Sequence, residues 1–128
     1  MRALLDTHTF LWWNTNDSNL SQIARKILAD GRNEIFLSAA SAWEIAIKVA
    51  RKRLILPEPP GRYVAERMSL HNFQGLPIQI SHALHIYNLP AHHQDPFDRL
   101  LVAQSQLEKL PILTADPEIA QYDVEILW

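Results

Sequence analysis

Five short apolar runs alternate with helix-forming stretches, and that alternation constrains the fold more than any other feature of the chain. The runs are residues 3–5 (ALL), 34–38 (EIFLS), 76–80 (LPIQI), 111–114 (PILT) and 124–127 (VEIL). Each is long enough for a buried strand and too short for a helix. Between them, helical patterns are predicted over 7–13, 22–30, 41–53, 62–70, 81–88, 96–108 and 117–121. Ser21 is the expected cap of the second helix, with Gly31 as its stop, and Ser81 the cap of SHALHIYN. Strand alternating with helix predicts an α/β fold, a small and mostly parallel sheet with helices on both faces. The 128 residues suit one domain spanning 1–128, and the chain shows no repeat or low-complexity tract.

Acidic residues fall where these strands hand over to helices. Asp6 follows the first strand in LLDTH, and Asp116 follows the fourth in ILTADPE. Glu44 in SAASAWE and Asp95 and Asp98 in HHQDPFD lie near helix starts. Open α/β sheets bind ligands at the carboxyl ends of their strands, so these carboxylates are placed to converge there. Helix capping competes with that reading. Ser41 and Glu44 have capping-box spacing, while Asp95-Pro96 and Asp116-Pro117 pair a cap residue with proline at the first helical position. Asp98, in a first turn, would meet the positive end of a helix dipole. Capping leaves Asp6 unexplained, inside the most apolar opening of the chain.

Converging carboxylates cannot all stay ionised without raised pKa values or a cation. With no cysteine in the chain, an oxygen cluster calls for a hard divalent ion, Mg²⁺ or Mn²⁺ as its substitute. Such an ion binds phosphate oxygens and activates water, so a phosphodiester is the expected substrate. The net charge of −2 argues against a protein held to nucleic acid by bulk positive charge, but removing these five acids leaves +3. Only three glycines are present, Gly31, Gly61 and Gly75, and they form no phosphate loop. Asp6-Thr7-His8 lacks the paired acids of aspartyl phosphotransfer enzymes and receiver domains.

Taken in order, LLDTHTFLWW, SAASAWEIAIK, DPFDRLLVAQS and ILTADPEI resemble a PIN domain, in particular the VapC-type ribonuclease toxins of type II toxin–antitoxin pairs. The resemblance covers essentially the whole chain. It implies a PIN-like fold and a Mg²⁺-dependent endoribonuclease leaving 5′-phosphate and 3′-hydroxyl ends. It also implies an RNA substrate, a cognate antitoxin and a homodimer. By the same resemblance Asp6, Glu44, Asp98 and Asp116 occupy the catalytic, metal-binding positions, with Asp95 accessory, and Thr7 matches the small hydroxyl residue after the first acid. Arg99, beside Asp98, is expected to contact phosphate or orient the acid. The alternatives are an RNA-processing PIN nuclease without an antitoxin and a non-enzymatic binding module whose acids only cap helices.

The other polar residues have plainer readings. His8, His92 and His93 are expected as loop histidines flanking the acidic motifs, with contact to RNA phosphate or a proton shuttle as the alternative. Lys48, Arg51, Lys52 and Arg53 complement a helix end, with Lys48 four residues after Glu44 as an ion-pair partner. Adjacent Trp12 and Trp13 cannot both face inward on one helix, so one is expected at the surface or at a partner interface. No apolar run reaches the roughly 20 residues of a membrane span, and the N-terminus is unlike a secretory signal, so a cytoplasmic protein is expected.

Overall fold

The computed structural model describes residues 1–128. Five parallel strands form one sheet: β1 (Arg2–Leu5), β2 (Glu34–Ser38), β3 (Gln74–Leu76), β4 (Ile112–Leu113) and β5 (Ile126–Leu127), in the order β3-β2-β1-β4-β5. Six helices accompany them: α1 (Thr7–Thr15), α2 (Gln22–Ala29), α3 (Ala39–Ala50), α4 (Pro60–His71), α5 (Ile80–His85) and α6 (Pro96–Glu108). Short 3-10 turns cover Ile86–Asn88 and Ile119–Gln121.

Side-chain alternation along the strands sorts the core into two layers. Ala3 and Leu5 of β1, Ile35 and Leu37 of β2 and Leu113 of β4 pack on one face with Phe10, Leu28 and Tyr63. Leu4, Phe36 and Ile112 point the other way, onto Leu101, Val102 and Ile119. Burial on both faces is why the strands read as continuous apolar runs rather than alternating ones. The chain leaves β1 toward β2 on one side and returns to β4 on the other. The strand order therefore reverses beside β1, and a crevice opens at the carboxyl ends of β1 and β4.

Several boundaries differ from the sequence expectation, each for a local reason. Ser38 caps α3, its Oγ accepting from the Ala40 amide at 3.0 Å. Ser41 thus lies inside the helix, and the expected Ser41–Glu44 capping box does not form. The third strand sits at Gln74–Leu76 rather than 76–80, because Pro77 cannot donate to a ladder and Gln79 already caps α5. There the Gln79 amide donates to His82 Nδ1 at 2.9 Å, and Ser81 is an interior residue, not the cap. Ser21 does cap α2, accepting from Ala24 at 3.0 Å, but the helix stops at Ala29. Asp30 ends it in an extended conformation, binding the Arg32 guanidinium, so Gly31 is not the stop. Helix α4 begins at Pro60, whose missing N–H suits the first helical position.

Neither tryptophan of the Trp12–Trp13 pair is left bare. Trp12 packs on Trp128 with ring centroids 6.0 Å apart, Trp13 packs edge-on to His71 at 5.7 Å, and both are half-buried. Their positions on α1 differ by about 100°, so each shares the boundary between core and surface. The outward tryptophan is Trp43, 53% exposed on α3 and edge-on to Phe97.

Candidate active site

Asp6 stands at the N-cap position of α1, directly after β1, yet its side chain caps nothing. It is 4% exposed, and its Oδ2 accepts from Thr114 Oγ1 at 2.7 Å. Thr114, just beyond β4, also accepts from the Asp116 amide at 3.0 Å. One hydroxyl therefore joins the ends of the two strands that flank the crevice. Asp116 Oδ1 receives the Glu118 amide at 2.8 Å, a turn that leaves Oδ2 for other partners. A cavity of about 260 Å³ lies over this junction, lined by Asp6, His8, Trp12, Ala115, Asp116 and Pro117.

Glu44 lies on α3 and is 3% exposed. Thr7 Oγ1 lies 2.8 Å from Glu44 Oε1, to which it donates, and 2.8 Å from Ser41 Oγ. Lys48, one helical turn on, approaches Glu44 Oε2 to 2.6 Å, the ion pair expected from the spacing. Thr7 thus acts on Glu44 rather than on solvent. The remaining acids sit at the start of α6. Asp95 is the cap, accepting from the Phe97 and Asp98 amides at 2.8 and 3.3 Å, so the capping reading holds at this position. Asp98 follows in the first turn. Buried Gln104 of α6 bonds Ser38 at 2.5 Å, which ties the two acid-bearing helices together.

Electrostatics bear out the crowding. Burial raises the Asp98 pKa to about 7, with Asp6, Asp95 and Glu44 adding to the rise and His93 opposing it. Burial likewise raises Asp6, helped by Asp116 and Glu44, against the lowering effects of Thr114 and His8. Asp6, Glu44, Asp98 and Asp116 therefore share one electrostatic neighbourhood although they come from four distant segments.

Two contributors escape a reading of the sequence. Thr114 is the first; a small hydroxyl closing a strand two residues before Asp116 was its only signal. His93 is the second, expected as a loop histidine or a proton shuttle and not as a partner of the acids. Its Nε2 lies 2.8 Å from Asp98 Oδ2 and 3.4 Å from Asp116 Oδ2, and its Nδ1 lies 2.8 Å from Glu118 Oε2. Burial alone would lower its pKa, but Asp98, Glu118 and Asp116 outweigh that and raise it. His8 is an exposed helical residue stacked near Trp12 at 5.7 Å, and His92 packs on Tyr122.

Arg99 does not meet the acids. Its guanidinium donates to the carbonyls of Pro90 (3.0 Å), His93 (3.4 Å) and Ile86 (3.2 Å) and to the Tyr122 hydroxyl (3.1 Å). The expected orienting contact with Asp98 is replaced by a clamp on segment 86–93, where the carbonyls of Pro90 and His93 need donors. Arg99→Met should remove several bonds to a charged donor, at a cost of about 1–3 kcal/mol. Hydrogen exchange should localise the loosening to residues 86–93, and unchanged protection there would contradict the clamp.

The donor set fits a divalent ion. One oxygen each from Asp98 and Asp116 and one nitrogen of His93 lie within 4.8 Å of one another. His93 Nε2 is also a buried polar atom with no hydrogen bond.

The PIN domain family model matches residues 3–125. This chain belongs to the PIN domain family. Among relatives of this PIN domain, Ribonuclease VapC16 from Mycobacterium tuberculosis is 46% identical over 61 residues. That match covers 48% of this chain and 43% of the relative, so the chain spans less than half the length of the curated relative. Among solved structures, VapBC2 from Rickettsia felis, bound to a DNA fragment from its promoter, superposes with a TM-score of 0.70. The identity is 12%, with all of both chains covered. A toxin–antitoxin complex from Klebsiella pneumoniae gives a TM-score of 0.58 at 20% identity, covering 89% of this PIN domain and 86% of that chain. These structural likenesses establish the shared fold.

Proposed function

We propose that this PIN domain is a divalent-metal-dependent endoribonuclease and the toxin of a type II toxin–antitoxin pair. Mg²⁺ is its ion, with Mn²⁺ as a substitute. The observation that carries the reading is the burial of Asp6 and Glu44, with Asp98 partly buried, and no helix-capping bond from any of their side chains. A module whose acids served only as caps would have no reason to crowd them, and of the acids expected as caps only Asp95 performs that role at a helix. Family membership and the 46% identical ribonuclease segment support the same reaction.

Asp6, Glu44, Asp98 and Asp116 hold the ion, directly or through water. When bound, a divalent ion lowers the pKa of a coordinated water and steadies charge on phosphorus oxygens. The chain's own residues set the stage for that chemistry. Thr114 fixes one carboxylate oxygen of Asp6, which lines the cavity, and Thr7 and Lys48 take one oxygen each of Glu44, so both carboxylates have little rotamer freedom. Lys48 offsets part of the Glu44 charge. Asp95 holds the start of α6 so that Asp98 enters from the first turn, beside the positive end of the helix.

An antitoxin partner is supported by the surface beside the site. A groove of about 340 Å³ runs between α1 and the loop before α4, lined by Leu11, Trp12, Leu54, Leu56 and Tyr63, with Lys48 and Arg53 at its rim. It shares His8 and Trp12 with the acidic cavity. An antitoxin segment laying apolar residues here can reach a basic side chain to the carboxylates. The native assembly is a homodimer bound to that antitoxin. No helix is long and apolar enough to cross a membrane, in keeping with work in the cytoplasm.

Incubation of the purified chain with total and structured RNAs, followed by end mapping, tests the reaction. Cleavage is expected with Mg²⁺, leaving 5′-phosphates, and should vanish with chelator. Expression alone should arrest growth, and co-expression of the neighbouring open reading frame should restore it. Intact RNA under every metal condition would overturn the nuclease reading. Harmless expression of soluble chain would overturn the toxin role alone.

A further inference from the structure

His93 is too firmly placed for an incidental loop residue. Its amide donates to the Tyr122 hydroxyl at 2.8 Å, and its carbonyl accepts from Arg99. Its imidazole is 14% exposed. On one side, Nδ1 lies 2.8 Å from Glu118 Oε2 and 3.3 Å from the Asp95 amide. On the other, Nε2 is buried close to two carboxylate oxygens and hydrogen-bonds to neither. As it stands, Nδ1 accepts from the Asp95 amide; an ion at Nε2 requires the ring proton to move to Nδ1, where Glu118 Oε2 at 2.8 Å can accept it. Metal-bound histidines are typically held this way, with a carboxylate on the far nitrogen.

Resting on the metal-nuclease reading, we infer that His93 is a nitrogen ligand to the ion held by Asp98 and Asp116, and that it makes the site bind the substitute ion Mn²⁺ more tightly than the working ion Mg²⁺. The spacing suits the role. Octahedral bonds of about 2.1 Å place adjacent donors about 3 Å apart. The Nε2 distances of 2.8 Å to Asp98 and 3.4 Å to Asp116 bracket that value. The selectivity follows from the donor chemistry. Mg²⁺ gains little from imidazole, whereas first-row transition ions bind it well, and Mn²⁺ also accepts the carboxylates that make up the rest of the site. Glu118 contributes from outside as the residue that orients the ring.

The test uses the full chain stripped of metal and titrated with Mn²⁺, Mg²⁺ competing. Pulsed electron paramagnetic resonance of bound Mn²⁺ should show one coupled nitrogen, absent in His93→Gln. That variant should bind Mn²⁺ about tenfold more weakly with Mg²⁺ binding little changed. Glu118→Ala alters a half-exposed surface residue and so spares the fold; it should keep the nitrogen coupling while weakening Mn²⁺ about tenfold. Mn²⁺ bound without nitrogen coupling, coupling that survives in His93→Gln, or equal weakening of both ions would overturn the inference and leave the nuclease reading standing. Failure to bind any divalent ion would remove both.

Discussion

Replacing Asp6 by Asn is expected to reduce RNA cleavage about 1000-fold or more while the protein melts no lower than wild type in chelator. The two halves of this result have one cause. Asp6 is buried among like charges, so its ionised form is disfavoured in the folded protein and its pKa is raised, mainly by burial. Asn has nearly the same shape, and its carbonyl can still accept from Thr114, so the packing over β1 and β4 is kept. The charge strain is lost with the charge. Catalysis needs that anion, because a hard cation takes oxygen donors bearing negative charge. An ion misplaced or lost forfeits several kcal/mol of transition-state stabilisation, and about 4 kcal/mol corresponds to three powers of ten in rate. The variant should also lose the stabilisation that divalent ions give wild type, about 2.7 kcal/mol at an ion concentration 100-fold above the Kd. Steady-state cleavage and paired melting curves with and without ion check all three outcomes. Wild-type cleavage by Asp6→Asn would remove Asp6 from the machinery.

The architecture was legible because the strands are buried on both faces. Runs such as EIFLS and PILT have no reason to be apolar throughout unless helices cover both sides, and the acids were visible because Asp6 and Asp116 follow such runs while the others stand near helix starts. What the sequence hides is contact between distant segments. Nothing near Thr114 says that its hydroxyl reaches Asp6, 108 positions away. The Ser41–Glu44 pair illustrates the opposite error. Its spacing satisfies a capping box, but Ser38 ends a strand one helical turn earlier and takes the cap, which frees Glu44 to be buried against Thr7. Arg99 and His93 exchange their expected roles for one reason. Segment 86–93 is mostly irregular, and its carbonyls attract the guanidinium that proximity in sequence assigned to Asp98. The imidazole at the end of that segment then falls on the acids instead.

Without metal, folding stability should fall as pH rises from about 4.5 to 7.5, and with saturating Mg²⁺ or Mn²⁺ that fall should flatten or reverse. The Asp98 pKa moves from 3.8 to about 7 because burial, then Asp6, Asp95 and Glu44, disfavour its anion. Between those values the folded protein holds a proton that the unfolded chain has released. Stability declines with pH wherever the native state binds more protons. Asp6, also raised, acts in the same direction from 3.8 upward. His93, raised above 6.5, extends the decline beyond that value, since its contribution is complete below 6.5 and lost as pH passes the folded pKa. Only His71 opposes within this range, its pKa lowered by burial and then by Arg67. The groups lowered by surface pairing, Asp30 and Glu66, act below their ordinary values of 3.8 and 4.5, so they leave the window untouched. The decline should total on the order of a few kcal/mol. Divalent ions invert the logic, because they bind the carboxylates deprotonated and add more stability as pH rises. Urea midpoints at four pH values, with chelator and with ion, trace both curves, and Asp98→Asn should flatten the chelator curve. A chelator curve that climbs through this range, unaltered by Asp98→Asn, would mean that the carboxylates are not crowded and that the crevice has no electrostatic need for a cation.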